Sequence, residues 1–155
     1  MRRLACVLLL LFSVHCTSDD PTEQPTFFPL VFSNLTEAEA LNVSNPGTLV
    51  FRDEASWQAF WQANANLGAP LPVIDFTDEM LIAVFWGNGY SGCQNFVNAI
   101  QEVQVRVDGV NTLGVVEVNI GVLPMLGGCI TPVTPLQVIV VDTTITSVEF
   151  IGFVP

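Results

Sequence analysis

Two runs in the second half of the chain, 80–86 and 136–141, are dominated by apolar residues, whereas the segments between them alternate apolar with polar. A continuous apolar run of strand length predicts a strand covered on both faces; alternation predicts one dry face and one wet one. In 103–107, Val103, Val105 and Val107 are expected inward with Gln104 and Arg106 outward. After the Asp108-Gly109 hairpin signal, 114–120 returns with Val116, Val118 and Ile120 opposite Glu117 and Asn119. Further strands are expected over 96–100 and, with weaker alternation, over 144–150.

The first half reads differently. A strand is expected at 30–32, one or two helical turns at 36–41, a turn at Asn45-Pro46-Gly47 and a strand at 48–51. Asp53 then caps a helix predicted over 54–66, on which Trp57, Phe60 and Trp61 fall at i, i+3 and i+4. Such a stripe could be an aromatic binding patch, but a helix docked on a sheet is the simpler reading. Gly68-Ala69-Pro70-Leu71-Pro72 ends the helix, and β structure is expected from there on. The fold class that follows is α+β: a mostly antiparallel sheet or sandwich with one docked aromatic helix, in a single domain over 30–155.

Composition changes the picture at the N-terminus. Met1-Arg2-Arg3 followed by an apolar stretch to Phe12 reads as an export signal over 1–16, too short for a permanent transmembrane helix. The apolar stretch stops at Cys16 and turns polar in Thr17-Ser18-Asp19-Asp20, an arrangement that resembles the lipobox of bacterial lipoproteins, with Cys16 as the lipidated residue. His15 departs from the usual small residue before that cysteine, and an ordinary secretory signal is the alternative. A lipid chain contributes about 0.8 kcal/mol per buried methylene, so acylation would hold the protein at a membrane of the cell envelope without a transmembrane helix. Residues 17–29, with Asp19, Asp20, Glu23 and three prolines, are expected to be a solvated tether.

Past Cys16 only Arg52 and Arg106 face 15 acids, a net charge of −13, and the chain has no Lys. That excludes nucleic acid as a partner, because such affinity comes from Lys and Arg on phosphates. It also leaves membrane attachment to the lipid anchor alone. Of four cysteines, Cys6 belongs to the signal and Cys16 to the anchor. Cys93 and Cys129 remain and are expected to form a disulfide, worth roughly 4 kcal/mol of unfolded-state freedom by the chain-entropy estimate.

The same inventory limits chemistry. Past Cys16 there is neither His nor Lys, so there is no imidazole base, no Schiff-base amine and no histidine zinc ligand; no metal or cofactor is expected. Asp75 with Asp78 or Glu79 could be nominated as a carboxylate pair or a calcium site, but acids beside Thr77 at a turn more often cap backbone N–H groups. Gly87-Asn88-Gly89 reads as a turn rather than a phosphate loop, since no lysine follows. What the loops at 87–93 and 121–135 do offer is surface: Trp86, Tyr90, Leu123, Met125 and Leu126 flank glycines and are the candidate partner-binding residues, with completion of the core as the other reading of Trp86 and Met125.

Trp57, Val73-Ile74-Asp75-Phe76, Met80-Leu81-Ile82-Ala83-Val84, Gly87-Asn88-Gly89-Tyr90-Ser91-Gly92 and Thr134-Pro135-Leu136-Gln137-Val138-Ile139-Val140 together resemble the PrcB C-terminal domain family over about 57–141. That family is named for a lipoprotein subunit of a bacterial surface protease complex. Cys93 stands about where the family commonly has an aromatic residue, and Cys129 lies in the later loop. The resemblance implies a non-catalytic accessory subunit with an exported protease as partner. Two other functions use the same features: a protease inhibitor inserting the loops 87–93 and 121–135 into a cleft, and a carbohydrate-binding or weakly hydrolytic surface domain using aromatics such as Trp86 with acids.

Overall fold

The structure, a computed structural model, describes residues 24–109, 114–122, 128–143, 145 and 147–153. In chain order it contains β1 (Thr26–Pro29), β2 (Phe32–Asn34), a 3-10 turn (Thr36–Ala40), β3 (Gly47–Phe51), α1 (Glu54–Asn64), β4 (Glu79–Phe85), β5 (Tyr90–Gly92), β6 (Ile100–Val107), β7 (Val115–Ile120), β8 (Thr131–Val133), β9 (Leu136–Asp142) and β10 (Ser147–Ile151). They form a middle sheet in the order β2-β9-β4-β3, an outer sheet in the order β1-β6-β7-β10, and a separate ribbon of β5 with β8. Among the described residues every pairing of named strands is antiparallel except that of β10 with β7. The expected class, mostly antiparallel β with one docked aromatic helix, is the class observed.

The continuous apolar runs become the middle of the molecule because side chains alternate along a strand. On β4, Met80, Ile82 and Val84 point into a core shared with the outer sheet, while Leu81, Ala83 and Phe85 point into a second core under α1. On β9, Ile139 and Val141 serve the first core and Leu136 and Val138 the second. Gln137 breaks this run, yet it is only 1% exposed. Its Oε1 accepts from the N–H groups of Ala99 and Ile100, both at 2.7 Å, and its Nε2 donates to Asn34 Oδ1 at 2.8 Å. A buried amide with its partners in place holds the start of β6 against the middle sheet.

The aromatic stripe docks as expected. Trp57 and Trp61 are buried with ring centroids 5.3 Å apart, Trp57 meets Phe51 edge-on at 5.2 Å, and Phe60 packs on Phe85 at 5.5 Å. The Ser56 N–H donates to Asp53 Oδ1 at 2.8 Å, which satisfies one of the free donors at the helix start. That bond and one from the Ser56 hydroxyl to Oδ2 at 2.9 Å hold the Asp53 carboxyl below its ordinary value of 3.8, the Ser56 backbone contributing most. The helix stops at Asn64, two residues before the expected end, because Ala65 turns extended and bridges Leu41 while the Asn66 N–H bonds to the carbonyl of Ala40.

Other segments depart from expectation. The end of the expected tether is a strand: Thr26–Pro29 pairs with β6, covering what would otherwise be a bare edge. Residues 73–76 form no strand. Residues 96–99 run beside Leu136 through a single bridge at Phe96, so regular pairing begins only at Ile100. Glu117, expected to face water, is buried on the outer sheet's open face. There Glu117 and Glu149 lie directly opposite each other across β7 and β10, and Arg106 bonds to both, to Glu149 at 3.0 Å, as well as to Asp108 at 3.0 Å. One cation thus bridges two like charges that would repel across the strands.

Candidate functional site: the clasped loops

At one place the chain departs from layered packing. Gly87 leaves β4 with φ +72°, and a Cβ there would stand 2.7 Å from the Ser44 carbonyl, so only glycine permits this approach. The neighbouring Asn88 N–H bonds to that same carbonyl at 3.1 Å. The chain then enters β5, whose Tyr90, Ser91 and Gly92 pair with Val133, Pro132 and Thr131 of β8. Cys93 and Cys129 are joined by the expected disulfide across 36 residues, with Cα atoms 5.0 Å apart. Beyond the bond, the Asn95 side chain accepts from the Thr134 N–H at 3.2 Å, and the N–H groups of Leu136 and Val97 bond to the carbonyls of Asn95 and Leu136. The two loops are therefore one ribbon, covalently closed at one end and hydrogen-bonded to β9 at the other.

The residues singled out for partner binding separate here. Trp86 is 4% exposed and meets Phe153 edge-on at 5.9 Å, so it completes the core between the sheets and offers no ring to a partner. Its burial is a correction to its place among surface anchors and favours the core-completing reading: Phe153, far along the chain, packs over it. Tyr90 is half-buried and packs against the same core. Leu123, Met125 and Leu126 lie outside the described residues, as does Cys16. Two apolar side chains not singled out from sequence are presented instead: Ile130, beside Cys129, is 92% exposed, and Val122 is 93% exposed. Their signal was present in the sequence, as β-branched residues inside a glycine- and proline-rich loop.

Between the ribbon and the helix-bearing side lies a cleft of about 350 Å³ lined by Asn42, Asn66, Asn88, Gly89, Asn95, Pro132, Val133 and Thr134. The Thr134 hydroxyl donates to Asn42 Oδ1 at 3.3 Å. Among the described residues no charged side chain lines this cleft.

Of the nominated acids, Asp75 and Glu79 are engaged locally. Asp75 Oδ1 accepts from the Thr77 N–H at 3.0 Å, which holds its carboxyl below the ordinary 3.8, and Glu79 Oε2 accepts from the Asp75 N–H at 3.2 Å. Asp75 and Glu79 thus cap the turn leading into β4. Among the described residues no group of three or more His, Cys, Asp or Glu side chains could hold a metal ion, and no helix is long and apolar enough to cross a membrane. No family model, curated protein or solved structure matches this chain.

Proposed function

We propose that this chain is a non-catalytic accessory subunit of the cell envelope, a lipoprotein anchored through Cys16, that binds a protein partner with its disulfide-clasped loops. The observation that carries this reading is the closed ribbon itself: β5 and β8 belong to neither sheet, the Cys93–Cys129 bond fixes them, and Ile130 stands exposed beside the bond. A pre-ordered loop surface with an apolar anchor loses little conformational entropy when a partner docks. An exported protease is the partner that the resemblance to the PrcB C-terminal domain family supports.

The test is recovery from membranes. The anchored, tagged chain is expected to co-purify with an exported protease whose abundance falls when the chain is deleted. Ile130→Asp is expected to lower that recovery about tenfold with an unchanged Tm, the scale of a well-placed interface anchor. Recovery that ignores this substitution overturns the loop surface as the binding face. Inhibition of the protease by the added chain would assign the same loops to the inhibitor reading.

A further inference from the structure

The four asparagines of the cleft come from three separate stretches of the sequence, Asn88 and Asn95 flanking one loop. Asn42 follows the 3-10 turn, Asn66 follows α1, Asn88 sits in the turn after β4, and Asn95 follows the disulfide. Two of them are structural. Asn42 Oδ1 accepts the Thr134 hydroxyl and Asn95 Oδ1 accepts the Thr134 N–H, which leaves their Nδ2 groups as donors. The carboxamides of Asn66 and Asn88 make no hydrogen bond among the described residues. The fold thus gathers amide donors and acceptors around one hollow, with Pro132 and Val133 as its apolar part.

We propose that this cleft is a binding site for a neutral sugar. A carboxamide offers a donor and an acceptor side by side, and adjacent hydroxyls on a sugar ring offer the complementary pair. The C–H face of the ring would lie on Pro132 and Val133. Charge selects the class. Among the described residues the cleft presents no cation to attract an anion and no carboxylate to hold a cation, in a chain whose formal net charge is −11. A volume of about 350 Å³ sits at the small end of ligand pockets, which run from about 300 to 1,000 Å³. Extended peptide is the weaker fit: β5 and β8 are three residues long each and β8 carries Pro132, so no strand edge of useful length is on offer. The binding groups are amides, and Trp86 has no part in it.

The experiment follows the side-chain amide resonances of the ¹⁵N-labelled full chain in detergent, titrated separately with N,N′-diacetylchitobiose, cellobiose, maltose and trialanine. At least one disaccharide is expected to shift the Asn66 and Asn88 carboxamide signals saturably. The Asn66→Ala/Asn88→Ala double variant should weaken that binding at least about tenfold with an unchanged Tm, because neither side chain supports the fold, while Gln58→Ala on the exposed face of α1 should not. Absence of a shift with all three disaccharides, binding that survives the double variant, or a response to trialanine alone would overturn the proposal, the last by assigning the cleft to peptide backbone.

Discussion

The middle sheet and the clasped ribbon are held by opposite means. β4 and β9 run seven residues each, pair along their whole length and are covered on both faces. β5 and β8 pair over three residues, and Ser91, Thr131 and Pro132 remain exposed. In the first, apolar burial at about 25 cal/mol per Å² fixes the geometry; in the second, a covalent bond does so with little burial to help. A body built by burial tolerates no large change of side chain, whereas a ribbon built by a clasp leaves its side chains free for other uses.

Trp57→Ala strikes the first mechanism and is expected to have the largest effect, a loss of about 3–5 kcal/mol in chemical denaturation, since the ring fills the space between Phe51, Phe60 and Trp61. Cys93→Ser/Cys129→Ser strikes the second. It should cost about 2–4 kcal/mol, and amide exchange should rise in Tyr90–Gly92 and Thr131–Val133 while Glu79–Phe85 stays protected. Uniform loss of protection would erase the distinction between sheet and ribbon.

Arg106→Gln probes a third arrangement, the outer sheet tied by polar contacts on its open face. Without that guanidinium, Glu117 and Glu149 face each other, so β10 should lose exchange protection before β7, and added salt should restore part of the deficit by screening. The smallest effect is expected from Asp53→Ala. Because the folded state lowers this carboxyl's pKa, its contribution is present above the unfolded value near 4 and is lost as pH falls through the folded one. The gap in Tm between variant and parent should therefore be widest near pH 7 and close in acid.

How much of this was legible in the sequence follows the range of the interactions. β4, β9, the capped aromatic helix and the Cys93–Cys129 bond all declare themselves in periodicity, a cap residue or cysteine arithmetic. Three features depend on segments far away in the chain. Gln137 is buried because Ala99, Ile100 and Asn34 receive it; Glu117 because Arg106 does; Trp86 because Phe153 covers it. The amide cleft was invisible for the same reason: Asn88 looked like one more turn residue until Asn42, Asn66 and Asn95 stood beside it.

β1 carries a consequence for where such a domain can work. Because Thr26 already pairs with Val107, only nine residues separate Cys16 from the folded body, a span of at most about 35 Å at full extension. The proposed anchor at Cys16 would therefore set a ceiling on altitude. The body would hover close to the lipid headgroups, and its reach would extend to neighbours that sit low on the same bilayer.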